Sequence, residues 1–133
     1  MVKKTIDNFN ISQICDSGQC FRMRRRENEI YSVIASEKYL EIEQHGGECL
    51  FYCSEEEYED FWKTYFDLDE DYEFYISKIN PNDTYLKEAA RFGRGIRILR
   101  QDLWEMIVSF LISQQNNIVR IRRCIHNICE CYG

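Results

Sequence analysis

Tyr39-Leu-Glu-Ile-Glu-Gln-His-Gly-Gly-Glu-Cys-Leu-Phe-Tyr-Cys53 decides the fold class of this chain. Leu40 and Ile42 share one face and alternate with glutamates, as a half-buried strand requires. His45-Gly46-Gly47 is a hairpin turn signal, with His45 a turn residue rather than a ligand, and Cys49–Cys53 is the return strand. Upstream, Cys20-Phe-Arg-Met-Arg-Arg-Arg26 turns at Glu27-Asn28 into Glu29-Ile-Tyr-Ser-Val-Ile-Ala35. Strands that follow one another without intervening helices make an antiparallel meander, not a parallel sheet.

Downstream the period changes from two to 3.6. Ser54-Glu-Glu-Glu57 is a capping box opening a helix to about Phe66, with Tyr58, Phe61, Trp62 and Tyr65 as its apolar stripe. A short helix is expected over residues 69–79, and another from Asn82 or Asp83 to a C-cap at Gly93. Gly93-Arg-Gly95 reads as a tight connection. Asp102 is the N-cap of a helix over 103–113 that bears Leu103, Ile107, Phe110 and Leu111. A last helix spans 117–132, with Ile118, Ile121, Ile125, Ile128 and Tyr132 spaced 3-4-3-4 and Gly133 as its C-cap. The fold class is therefore α+β: a twisted antiparallel sheet with helices over residues 1–95, then the first helices of an all-α domain over residues 96–133.

Between the last two helices stand four consecutive amides, Gln114-Gln-Asn-Asn117. Such a run suits a polar tip that hydrogen-bonds something outside the protein. Net charge is −6, yet it is unevenly spread. Residues 1–90 hold 10 basic and 20 acidic side chains, whereas residues 91–133 hold 7 arginines and 3 acids. Screening limits the reach of charge to about 10 Å at 0.1 M salt, so the local excess decides the partner. Arg120, Arg122 and Arg123 beside the amides point to a nucleic acid. The acidic stretch from Glu55 to Glu73 faces away from it.

The 133 residues suffice for a real core, and 8 Phe, 9 Tyr and 2 Trp argue against disorder. No run approaches the ~20 apolar residues that span a bilayer, and the N-terminus lacks a signal-peptide core. Seven cysteines, an odd number without a C-x2-C pair, read as free thiols of an intracellular protein. Neither a metal nor a cofactor is expected, nor a membrane partner.

Gly18, just before the first clear strand, would let a backbone approach a ligand, although a plain turn glycine reads the same way. Three blocks then carry a resemblance. Ser17-Gly-Gln-Cys-Phe-Arg22, Phe92-Gly-Arg-Gly-Ile-Arg-Ile-Leu-Arg-Gln-Asp102 and Ser109-Phe-Leu-Ile-Ser-Gln-Gln-Asn-Asn-Ile-Val-Arg120 together resemble the 8-oxoguanine DNA glycosylases, in family order and at family-like spacing.

The resemblance implies an N-terminal domain similar to half of the TATA-binding-protein fold, followed by a helical domain. It implies base excision repair by base flipping on duplex DNA with 8-oxoguanine opposite cytosine, by an enzyme that is a monomer. Gly18 matches the glycine whose carbonyl accepts N7–H of 8-oxoguanine, a donor absent from guanine. Phe110 and Ile118 match positions beside the base pocket. Gln115 matches the residue, usually asparagine, that fills the gap left by the flipped base. Asn116 and Asn117 match the two asparagines that follow, and Arg120 matches the arginine on the orphaned cytosine. Arg123 joins them as a DNA-contacting cation. Met23 stands where many relatives carry tryptophan. The catalytic lysine, which forms a Schiff base, and the catalytic aspartate are expected downstream of Gly133, so this chain alone is expected to be inactive. The compartment implied is the cytoplasm or nucleoid of a bacterium, or a nucleus. A module of the TATA-binding-protein type that never belonged to an enzyme is the rival reading.

Overall fold

Met23, Val33 and Leu40 lie side by side across three neighbouring strands, and all three are fully buried. The row beside them is Val2, Phe51, Ile42 and Tyr31, also buried. These rows are the alternating apolar positions of the sequence, stacked by register into one face. In the computed structural model, which describes residues 1–132, five strands form one antiparallel sheet. They are β1 (Val2–Thr5), β2 (Met23–Arg25), β3 (Ile30–Ala35), β4 (Lys38–His45) and β5 (Glu48–Phe51), in the order β1-β5-β4-β3-β2. The expected meander is β2 to β5. The sequence reading lacked β1, a four-residue edge strand on β5, because Val2 is its only buried residue.

The reading also lacked α1 (Ile11–Asp16), whose six residues are too few to show a helical period. Asn10 caps it, its side chain accepting from the Gln13 amide at 3.0 Å. Ile11, Ile14 and Cys15 press it onto the sheet. The second helix, α2, is continuous through Glu55–Glu57, Tyr58–Trp62 and Lys63–Tyr65, with a π turn in the middle. Its cap is half of the expected box. Ser54 Oγ accepts the Glu57 amide at 3.1 Å, but the Glu57 carboxylate accepts the Trp62 indole N–H at 2.7 Å. That bond satisfies the polar edge of a ring that is otherwise sealed in the core. Tyr58, Trp62, Tyr65 and Phe66 complete the core against Phe9 and Phe51. All seven cysteines are free.

The remaining helices are α3 (Tyr72–Ser77), α4 (Thr84–Phe92), α5 (Leu103–Ser113) and α6 (Ile118–Tyr132). Asp83 and Asp102 cap α4 and α5, accepting from Leu86 and Glu105 amides at 2.8 and 3.0 Å. The expected α5 stripe is not covered: Leu103, Ile107, Phe110 and Leu111 are all exposed. On α6, Ile121 and Ile125 are buried, whereas Ile118, Ile128 and Tyr132 are exposed. The cap expected at Gly133 lies outside the described residues. No helix is long and apolar enough to cross a membrane.

Candidate nucleic-acid interface

The α5–α6 tip is built largely by its own amides. Gln114 ends α5 in an extended conformation and donates through Nε2 to the Phe110 carbonyl at 3.3 Å. Asn116 donates through Nδ2 to the Ile112 carbonyl and accepts the Asn117 amide on Oδ1, both at 3.0 Å. Asn117 accepts the Arg120 amide on Oδ1 at 3.0 Å and so caps α6. Three of the four amides thus spend at least one side-chain group on folding the turn, although Gln114 and Asn117 remain exposed. Gln115 is the exception. It sits at φ +49°, exposed, and its side chain makes no hydrogen bond among the described residues. A non-glycine residue in the left-handed region is costly, and such conformations concentrate where function needs a side chain aimed.

On either side of Gln115 in the chain are two exposed apolar side chains, Phe110 in the last turn of α5 and Ile118 opening α6. Arg120 and Arg123 are exposed one turn apart on α6, with no carboxylate partner among the described residues. The tip therefore presents a free amide, an apolar rim and two uncompensated guanidiniums. That set suits a polyanion carrying stackable bases.

Gly18 lies on the other part of the site. It follows α1 at φ +77°, and a Cβ built there would meet nothing within 4 Å. Its conformation, not crowding, calls for glycine. No hydrogen bond among the described residues links Gly18 to the tip. The residue beside it does the positioning. Gln19 donates through Nε2 to the Arg97 carbonyl at 2.8 Å and accepts the Leu99 amide on Oε1 at 3.0 Å. Its own carbonyl accepts Gln101 Nε2 at 2.8 Å. The Gly18 loop is thereby laced to the extended segment that leads into α5.

Arg97 anchors that segment from the other side. Its buried guanidinium donates to the carbonyls of Asp7, Asn8, Asp67 and Glu70 at 2.7–3.0 Å and lies over the Tyr72 ring. Burial pulls its pKa down, although four carbonyl acceptors keep the charge satisfied. Leu99 packs into the sheet's core and ties the connection to it. The sequence reading quoted Gln19 and Arg97 inside motifs but gave them no role. For Arg97 the available signal was a lone cation between Ile96 and Ile98, and for Gln19 no such signal stands in the sequence. At the start of α5, Glu105 approaches Arg22 at 4.0 Å. Burial pushes the Glu105 carboxyl up, against the opposing pull of Arg22.

This combination of sheet, connection and helical tip is found in solved enzymes. The structure is similar to the 8-oxoguanine glycosylase/lyase of Clostridium acetobutylicum in its apo form, with TM-score 0.91 and 44% identity, over 98% of this chain and 46% of that one. It is equally similar to that enzyme in complex with double-stranded DNA containing cytosine opposite 8-oxoG, with TM-score 0.90 and 44% identity over 96% of this chain and 44% of that one. The N-glycosylase/DNA lyase of Saccharomyces cerevisiae is 48% identical over 40 residues, 30% of this chain and 11% of that protein. The model of the 8-oxoguanine DNA glycosylase N-terminal domain matches residues 1–107. The chain belongs to that family. It spans less than half the length of the solved relatives it matches.

Proposed function

We propose that this chain is the lesion-sensing portion of an 8-oxoguanine DNA glycosylase/lyase that acts on duplex DNA with 8-oxoguanine opposite cytosine. The observation that carries this reading is Gln115, the one tip amide without an internal partner, held at φ +49° between exposed Phe110 and Ile118. In this role Gln115 enters the space vacated by the flipped base, and Arg120 contacts the orphaned cytosine. Asn116 and Asn117 act chiefly as the frame of the probe, although Asn117 keeps its Nδ2 donor uncommitted. Arg123 contributes a phosphate contact.

The Gly18 carbonyl reads the lesion. It accepts the N7–H of 8-oxoguanine but meets a lone pair in guanine. An unmet buried polar group costs about 1–3 kcal/mol, which suffices for useful discrimination. Gln19 acts indirectly, by holding the Gly18 loop against the segment that aims the tip. The resemblance assigns the bond-breaking lysine and aspartate to a part of the relatives outside the residues matched here.

Fluorescence anisotropy with a labelled duplex tests the reading. Replacing Arg120 and Arg123 together with alanine is expected to weaken binding and, through the phosphate contact of Arg123, to reduce the steepness of its salt dependence by about one counterion. Gln115→Ala is expected to weaken binding to the 8-oxoguanine duplex more than to an undamaged one. Equal losses on both duplexes would remove Gln115 from the lesion probe.

A further inference from the structure

Arg22, Arg24 and Arg26 alternate along and beside β2, opposite buried Met23. Alternation places the three side chains on the sheet face away from the aromatic core. Helix α6 lies over that face, and a cavity of about 330 Å³ opens between the two. The three arginines form one wall, and Arg122 and His126 stand on the other with Glu130 beside them.

The charges around this cavity do not balance. Among the described residues, Arg22 alone of the four arginines comes within 4.0 Å of a carboxylate, that of Glu105. Glu130 stands 4.0 Å from His126. Arg26 spends Nε on Ser32 Oγ at 3.0 Å, and Arg122 spends one Nη on the Cys15 carbonyl at 3.4 Å. The Nε of Arg122 is sealed from solvent with no acceptor among the described residues. That nitrogen is out of a ligand's reach, so Arg122 would meet an anion through the Nη that is not spent on Cys15. Donors from two facing walls suit a tetrahedral oxyanion better than a planar carboxylate, which one arginine fork can satisfy.

The cavity is not the DNA-probing surface. With about 100° per residue, Arg122, Ile125 and Cys129 are turned about 100–180° around α6 from Arg120 and Arg123, while His126, about 60° from Arg123, stands at the edge between the two faces. We infer that the cavity between β2 and α6 is a second anion site, one that takes the phosphate group of a small molecule. Its size lies at the lower end of the range for small-ligand pockets, about 300–1,000 Å³. Arg24 and Arg26, both exposed, form the entrance, and Arg122 forms the floor.

Isothermal titration of the full chain with inorganic phosphate, at constant ionic strength, tests the assignment. Phosphate should bind and acetate should bind at least about tenfold more weakly. Arg24→Ala and Arg122→Ala should each weaken phosphate binding by about tenfold or more. The Arg24 side chain makes no hydrogen bond or ion pair among the described residues, so its variant keeps the test open should Arg122→Ala fail to fold. Arg91→Ala, on α4, should leave the affinity unchanged. Phosphate affinity that is the same in Arg24→Ala, or lost equally in Arg91→Ala, overturns the site. A parallel loss of duplex binding in Arg24→Ala assigns the cavity to the DNA backbone and overturns the small-molecule reading.

Discussion

The main-chain amide of Asn10 donates to the carbonyl of Gly95 at 2.8 Å, closing the start of α1 against the connection to α5. The contact is reciprocal in effect, since the Gly95 amide donates to Gln13 Oε1 at 3.0 Å. A side chain at position 95 has no room. Its Cβ would overlap that of Asn10 and come within 2.7 Å of Gln13 Oε1 and 2.9 Å of the Asn10 main-chain nitrogen. Gly95→Ala should therefore cost about 3 kcal/mol or more, as other strained or overpacked core positions do. Gly18→Ala meets open space and should cost only the left-handed penalty, about 1–2 kcal/mol. Urea unfolding of the two variants measures the contrast, and equal losses would refute the close-approach argument.

Gly95 also marks where sequence reasoning stops. Gly93-Arg-Gly95 was legible as a tight connection because glycine pairs punctuate local structure. Which glycine is crowded was not, because the crowding comes from Asn10 and Gln13, more than 80 residues away in the chain. The same limit separates the elements found from those missed. The meander and both long C-terminal helices announce themselves by period and caps, whereas β1 and α1 are too short to show a period. At the tip, composition gave four amides but not their division of labour, which depends on where the turn leaves each carbonyl. Gln115 differs from its neighbours in its left-handed backbone and in making no side-chain hydrogen bond among the described residues.

Gln19 should behave as a structural residue of the lesion-reading loop. Its amide bridges the Arg97 carbonyl and the Leu99 amide, and Leu99 is buried. Gln19→Ala leaves both main-chain groups unpaired, at about 1 kcal/mol or more each, so a loss of about 2–3 kcal/mol is expected. The urea midpoint should fall while the slope stays constant. A changed slope would indicate a loosened native state instead.

The tip should separate stability from binding. Asn117→Ala removes the α6 cap and should cost about 1 kcal/mol of stability. Gln115 is exposed and bonded to nothing among the described residues, so Gln115→Ala should change stability by less than about 0.5 kcal/mol. The order should reverse for binding to the 8-oxoguanine duplex, with the Gln115 variant the weaker. Thermal melts and anisotropy titrations on the same two proteins give both orders. A large stability loss in Gln115→Ala would show that its amide also supports the turn.

Glu105 should make this chain less stable as pH rises through its titration. Burial is the larger influence and holds its carboxyl above the usual range, while Arg22 at 4.0 Å only partly offsets it. A carboxyl easier to protonate when folded binds more protons in the native state than in the unfolded one. Its contribution is therefore favourable below the unfolded pKa of about 4.3 and declines as pH rises through the folded value. Above the folded value it is ionised in both states, and the full desolvation cost remains. Glu105→Gln keeps the shape and removes the charge. It should raise Tm at pH 7 and lose that advantage as pH falls below about 4. A variant less stable than the parent at pH 7 would mean that the pairing with Arg22 outweighs burial, and would place Glu105 among the contacts that hold α5 to the sheet.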